Sequence, residues 1–405
     1  MKRIILLTLL IGLTVQQTFP QSFDKTKLDN YFMALETSSK FIGSIAIAKN
    51  GTIIYTKQIG YADLENKIKP SADTKYRIGS ISKMFTTVLV FKAIEEGKFK
   101  LTDNIDPYFP AIKNAGKITI GDLLYHRSGI HNFTANEDYL KSNTEKKSEQ
   151  EMTQIITKGG SDFEPDTKSE YSNSNFVLLS YLLQKVYKKD YAQLLNERIV
   201  KPLGLKQTYY GKKINLANGE SYSYSFKGSW VKEVETDMSI PMGAGAVVST
   251  PSDLTKFADA LFAGKLVSAP DLEHMKTIKG AYGMGLFKVP FGELSGYGHT
   301  GGIDGFSSFL YHFADGDISV AMTSNGTNFD NNQIAIVLLS AVYNKPYDVP
   351  TFKTFELTSA VLDQYLGIYV SKQIPLKITV TKNDKILIAQ ATDQHSFALE
   401  ATEKD

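Results

Sequence analysis

The chain has 405 residues, 42% of them hydrophobic, enough for a sizeable core and, by length, for roughly two to three domains. Forty-five basic residues face 43 acidic ones, and the arginines are only Arg3, Arg77, Arg127 and Arg198, so no electrostatic footprint for nucleic acid is present. The absence of cysteine excludes disulfides, thiol chemistry and a lipoprotein attachment site.

The N-terminus reads Lys2-Arg3, then the apolar run Ile4 to Val15, then the polar stretch Gln16 to Ser22. That is the plan of a secretory signal peptide, and about a dozen apolar residues are too few to span a bilayer comfortably. Residues 1–21 are therefore expected to be a leader cleaved near residues 18–22. Its loss takes away Lys2 and Arg3 and leaves 43 basic residues against 43 acidic ones. The expected location is periplasmic or secreted, with no stable membrane anchor after cleavage.

Leu28, Tyr31, Phe32 and Leu35 recur at helical spacing and predict an amphipathic helix within 23–40. Phe41 to Ala48 and Thr52 to Ile59 are strand-like runs around Lys49-Asn50-Gly51, and Asn-Gly predicts a tight hairpin. Periodic segments at 118–126, 149–157, 173–188 and 252–263 predict a long, mainly helical middle. Strand character returns at Gly296 to Gly301, Gly305 to Phe313 and Ile318 to Ser324, followed by a helix at about 331–343. Strands at both ends with helices between predict one sheet built from distant parts of the chain, with Ile45, Ile47, Val320 and Met322 facing its core. Residues 22–345 form the expected main domain, 346–355 a linker around Pro346 and Pro350, and 356–405 a β-rich module. In that tail one hairpin is readable about Lys382-Asn383-Asp384, and an isolated hairpin is marginal, so the module is expected to be incomplete or packed on the main domain.

The chemistry concentrates at Ser80-Ile81-Ser82-Lys83, which heads the apolar run Met84 to Gly97. Residues at i and i+3 share a helix face, so Lys83 can reach the Ser80 oxygen. Unpaired N–H groups and the dipole at a helix start favour an alkoxide and then an oxyanion. In most chains a serine there is only an N-cap. A lysine followed by six uncharged residues, however, must be paired or have a lowered pKa, and both are habits of functional lysines. Ser80 is thus the candidate nucleophile. His126 and His131 are wrongly spaced for two ligands on one helix face, and neither glycine-dense stretch, Gly283-Met284-Gly285 or Gly298 to Gly305, fits a phosphate loop; no metal or cofactor is expected.

Two distant segments complete the pattern: Tyr171-Ser172-Asn173, after the turn-prone Phe163-Glu164-Pro165-Asp166, and His299-Thr300-Gly301-Gly302 at the end of a predicted strand. With them the chain resembles the penicillin-recognising serine hydrolases of the class C β-lactamase and D-alanyl-D-alanine carboxypeptidase type, which carry Ser-x-x-Lys, Tyr-x-Asn and Lys/His-Thr-Gly in that order. Supporting matches are Tyr76-Arg77-Ile78-Gly79, Gly97 to Asp103, Leu123 to Ile130, Pro202-Leu203-Gly204-Leu205 and Gly243-Ala244-Gly245, and the resemblance spans about residues 25–345.

The resemblance implies an α+β fold: an α/β sandwich on an antiparallel sheet plus an all-helical subdomain, with a partial β module at the C-terminus. It implies that Ser80 forms an acyl-enzyme while Lys83 and Tyr171 share its proton, either one being the base. Asn173 would hold Lys83 and the substrate amide, Thr300 would bind a substrate carboxylate, and His299 would supply a donor or a positive field. The N–H groups of Ser80 and Gly302 would form the oxyanion hole. The substrate would be a small molecule or peptide: a peptidoglycan-like D-amino-acid peptide, an ester or a β-lactam. Histidine at 299, where typical class C β-lactamases have lysine, tilts the expectation from antibiotic hydrolysis towards carboxypeptidase, D-aminopeptidase or esterase activity; a non-catalytic penicillin-binding sensor is the alternative. Asp166, where the family often has glycine, predicts a differently shaped loop before Tyr171.

Overall fold

The computed structural model describes residues 23–352, 358–370, 377–391, 397–399 and 401, so the expected leader lies outside them. A six-stranded antiparallel sheet has the spatial order Thr52–Ile59, Phe41–Lys49, Ile318–Thr327, Phe306–Phe313, Leu294–Ile303, Phe287–Phe291. The first hairpin turns through Asn50 and Gly51, with φ of 51° and 70°, the left-handed pair that a two-residue turn needs. The last strand, Phe287–Phe291, carries Pro290 and spans five residues, too short for its alternation to stand out in the sequence.

Strand Phe41–Lys49 is buried from Phe41 to Ala48 because helices cover both sheet faces. Ile45, Ile47, Val320 and Met322 point, as expected, into one core with Leu28 and Phe32 of helix Lys25–Thr37 and Ile334 and Leu338 of helix Asn331–Val342. On the other face, Ala46 sits opposite Ala321. Two methyl side chains there leave room for helix Pro251–Phe262 to lie close, through Leu254, Phe257 and Ala258. That helix is started by Thr250, whose Oγ1 accepts from the Asp253 N–H at 3.2 Å, and by Pro251 in its first turn.

The second core belongs to the helical part. Helix Ser82–Glu95 is buried continuously from Ser82 to Phe91, with Phe85 stacked on Phe257 at 3.8 Å. Helix Asn173–Tyr187 packs beside it through Phe176 to Leu179. Beyond the linker region, the described residues form a four-stranded antiparallel sheet of Gly367–Val370, Lys377–Asn383, Ile386–Ala391 and Phe397–Leu399, two strands more than the hairpin legible in sequence. It touches the main body: a methyl added to Gly228 would lie 2.2 Å from Ile386 Cδ1. Among the described residues no helix is long and apolar enough to cross a membrane.

Candidate active site

Ser80 is set by a strand, a glycine and a hydroxyl. Tyr76–Arg77 pairs with Val248 and Ser249, the chain turns at Gly79 with φ 51°, and Ser80 occupies the 3₁₀ turn Gly79–Ile81 before helix Ser82–Glu95. The Ile78 N–H donates to Val247 O at 3.1 Å, and the Val247 N–H donates to Ser82 Oγ at 3.0 Å, which clamps the turn from both ends. Strand Leu294–Ile303 presses on the same turn. A Cβ on Gly301 would fall 2.0 Å from Ile78 O, and one on Gly79 would fall 2.7 Å from the Gly302 nitrogen. Only glycines allow this approach at positions 79 and 301, whereas a Cβ on Gly302 would meet nothing closer than Phe306 O at 3.9 Å.

Lys83 is fully buried; its Nζ donates to Asn173 Oδ1 at 2.8 Å and Ala244 O at 2.9 Å and lies 3.0 Å from Ser80 Oγ. Burial holds its pKa well below the usual lysine range. Asn173 Oδ1 and Ala244 O take two of its donor positions, and the third position on the nitrogen faces the Ser80 hydroxyl.

The Tyr171 ring lies 4.8 Å from Lys83 Nζ, and its phenol is hydrogen-bonded to Ser80. Burial pushes this phenol up, against the smaller effect of the Ser80 hydrogen bond, so it is protonated at neutral pH. Its ring is held by His126 at 4.5 Å and Tyr282 at 5.9 Å. His126 Nδ1 accepts from the Ser172 N–H at 3.1 Å, which places its own hydrogen on Nε2. Buried, and disfavoured further by charge on Lys83 or His299, His126 is held well below the ordinary histidine range.

Asn173 is oriented by residues with no motif signal: its N–H donates to Asn132 Oδ1 at 3.0 Å and its Nδ2 to Thr134 Oγ1 at 3.1 Å. Asn132, Thr134, Tyr282 and the Ala244 carbonyl were not legible as site residues, although Ala244 lies in the quoted Gly243-Ala244-Gly245. Ahead of Tyr171, Asp166 adopts φ 63°, the conformation glycine accepts most easily, and is held there by an ion pair with Arg127. The position therefore keeps a glycine-like backbone.

His299 is 1% exposed, stacks near Phe287 at 4.1 Å and bonds through Nδ1 to its neighbour's carbonyl, Thr300 O. Burial, with the nearby Lys83, pushes its pKa down to about 3, so it supplies no positive field at neutral pH. Thr300 is exposed on the strand, and strand Phe287–Phe291 pairs only as far as Gly298, which leaves that edge of residues 299–303 uncovered. Ser80, Asn173 and Gly302 line a cleft of about 680 Å³, whose mouth is apolar at Leu140, Phe226 and Val234.

A buried amine against a serine hydroxyl, a phenol on that hydroxyl and an antiparallel sheet edge alongside define a serine hydrolase of the β-lactamase and transpeptidase fold. Residues 29–342 match the Beta-lactamase family, and the chain belongs to it. It is 25% identical over 396 residues to penicillin-binding protein 4* of Bacillus subtilis, covering 89% of this chain and 86% of that one. It is 32% identical over 247 residues to the teichoic acid D-alanine hydrolase of Staphylococcus aureus, covering 60% of this chain and 58% of that one. The D-amino acid amidase of Ochrobactrum anthropi SV3, solved with L-phenylalanine amide, is 26% identical with a TM-score of 0.68, covering 79% of this chain and 99% of that one. An octameric penicillin-binding protein homologue from Pyrococcus abyssi, 23% identical with a TM-score of 0.70 over 93% of this chain and 90% of that one, shares the fold.

Proposed function

We propose that the protein hydrolyses amides or esters of D-amino acids through an acyl-enzyme on Ser80, in the manner of a DD-carboxypeptidase or D-amino-acid peptidase. The observation that carries this reading is the Lys83 amine, saturated by two carbonyls and 3.0 Å from Ser80 Oγ. Ser80 Oγ attacks the substrate carbonyl as its proton passes to Lys83 Nζ. The C–O bond forms, and the carbonyl electrons move to an oxyanion held by the N–H groups of Ser80 and Gly302. The oxyanion collapses and expels the amine or alcohol, which takes a proton from the Lys83 ammonium, directly or through the Tyr171 hydroxyl. Water then repeats the sequence on the ester, with Lys83 again accepting the proton.

We assign Lys83 as the base and Tyr171 as the relay, because burial lowers the lysine pKa and raises that of the phenol. Asn173 orients Lys83 and meets the substrate amide, Thr300 offers its hydroxyl at the open strand edge, and neutral His299 supports that wall as a structural group. The D-amino-acid preference rests on likeness to an amidase and a hydrolase whose names specify D-amino-acid chemistry. Export by the 1–21 leader to the periplasm or medium belongs to the same proposal. Steady-state assays on D-alanine p-nitroanilide, a D-Ala-D-Ala peptide, p-nitrophenyl acetate and nitrocefin, with intact mass after fluorophosphonate treatment, test it. Turnover with one adduct on Ser80 is expected. An adduct that forms without turnover on any of them would favour the penicillin-binding sensor instead.

A further inference from the structure

The cleft beside Ser80 is unevenly charged. Two carboxylates, Glu233 and Asp304, line it, and no lysine or arginine does. Asp304 is already engaged. Its Oδ2 accepts from Arg77 Nη1 at 2.8 Å, and its Oδ1 accepts from the Thr236 N–H at 3.1 Å and Thr236 Oγ1 at 2.7 Å. Arg77 is buried and is taken up as well, by Glu235 and by the carbonyls of Thr236 and Lys212.

Glu233 differs in every respect. It follows strand Trp230–Lys232, and its N–H donates to Ser223 O at 2.8 Å, which fixes the backbone. Its half-buried carboxylate has no hydrogen bond or ion pair among the described residues. The adjacent cation, Lys232, is drawn over the Tyr222 ring, 3.0 Å from its centroid. Of the groups deeper in the site, His299 has its pKa pushed down to about 3, and the buried Lys83 Nζ is already taken up by Asn173 Oδ1 and Ala244 O. A substrate carboxylate would thus enter a cleft with one unpaired carboxylate and no lining cation among the described residues. An ammonium would find a half-buried, unpaired partner, and charge-assisted hydrogen bonds are the stronger kind.

We propose that Glu233 binds a primary ammonium of the substrate, so that the cleft selects acyl donors with a free amino group, such as α-amino amides and esters, over donors whose amine is blocked or that carry a carboxylate. This deepens the hydrolase reading and rests on it. It also separates two substrates left together above: a D-amino acid amide with its free amine fits, whereas a D-Ala-D-Ala peptide whose acyl-side amine is blocked does not.

The test compares kcat/KM for D-alanine p-nitroanilide and N-acetyl-D-alanine p-nitroanilide within each variant, so that differences in folding or active fraction cancel. The wild type is expected to favour the free amine by about 10- to 100-fold, the range of one hydrogen bond to a charged group. Glu233→Gln should bring the ratio close to one, and Glu233→Lys should favour N-succinyl-D-alanine p-nitroanilide. An equal ratio in wild type and Glu233→Gln overturns the proposal. Calorimetric binding of D-alanine amide to the Ser80→Ala protein, with and without Glu233→Gln, reads the same subsite without chemistry; equal affinities also overturn it. The hydrolase reading fails separately, by the absence of both p-nitrophenyl acetate turnover and a Ser80 adduct.

Discussion

Two clusters in this molecule join a serine hydroxyl to a buried nitrogen base. In one, Ser80 stands 3.0 Å from Lys83 Nζ; in the other, Ser319 Oγ lies 3.0 Å from His312 Nδ1 and donates to Asp259 Oδ1. Burial lowers both bases, Lys83 well below the lysine range and His312 to about 4. By residue type alone, the Ser319 cluster is closer to a hydrolytic triad. Its protons run the wrong way, however. Ser319 gives its hydrogen to the carboxylate and so faces His312 as an acceptor, which leaves the base with no proton to take. Ser319 is also wholly buried, and Phe262 covers His312 in a stack at 4.4 Å. Ser80 instead faces the cleft, next to Gly302. A lowered pKa beside a serine therefore marks burial first; an open approach and a hydroxyl not committed to a carboxylate distinguish the reactive pair.

The sharpest way to break this comparison is to delete each hydroxyl. Ser80→Ala should lower turnover by roughly 10⁴-fold or more, as loss of a serine nucleophile does in other hydrolases, and should abolish fluorophosphonate labelling. Ser319→Ala should still gain one adduct by intact mass. Labelling of Ser319 in either protein would overturn the distinction.

The bases come next. Lys83→Met should cost roughly 10²- to 10⁴-fold in kcat, the usual range for a general base. Tyr171→Phe added to Lys83→Met should cost little more than the worse single change. Losses that multiply would mean that the two side chains do not share one proton.

Acid should weaken both clusters in the same sense. His299 and His312 have folded pKa values of about 3 and about 4, below the usual histidine value. Between those values and about 6.5 the unfolded chain binds the extra protons, so stability rises with pH through that window and falls on acidification. Thermal midpoints from pH 3 to 7 should show the slope, and His312→Asn should make it shallower. Above about 6.5 neither histidine contributes, so kcat/KM for a carboxylated and a neutral ester should run parallel from pH 6 to 8. Divergent profiles that His299→Lys flattens would restore a charged His299.

The smallest effect tests how the reactive cluster is aimed. Thr134→Val removes the acceptor that holds Asn173 Nδ2 and should lower kcat by roughly 10-fold with little change in stability, since misplacement of a positioning group is felt mainly in the transition state. A rise in KM alone would place Thr134 in binding.

The hairpin at Asn50-Gly51, the first helix and the core-facing positions Ile45, Ile47, Val320 and Met322 were legible because their signals are local: a turn dipeptide, a period near 3.6, a period of two. The pairing of Ser80 with Lys83 was legible for the same reason, since three residues of helix bring the two together whatever the rest of the chain does. The two-residue strand at Tyr76–Arg77 and the strand Phe287–Phe291 were not, because segments that short show no clear period. Asn132, Thr134 and Glu233 gave no signal either; each acquires its part only from what the fold sets beside it.

By itself, then, the chain order of Ser80-x-x-Lys83, Tyr171-x-Asn173 and His299-Thr300-Gly301 determined the family and which side chains would meet. Only the tertiary structure decided their charge states, because a pKa follows from desolvation and neighbours contributed by several elements at once. Through that packing the Lys83 pKa falls well below the usual lysine range and that of His299 falls to about 3. The same packing engages Asp304 with Arg77 and leaves Glu233, which lines the cleft, without a partner among the described residues.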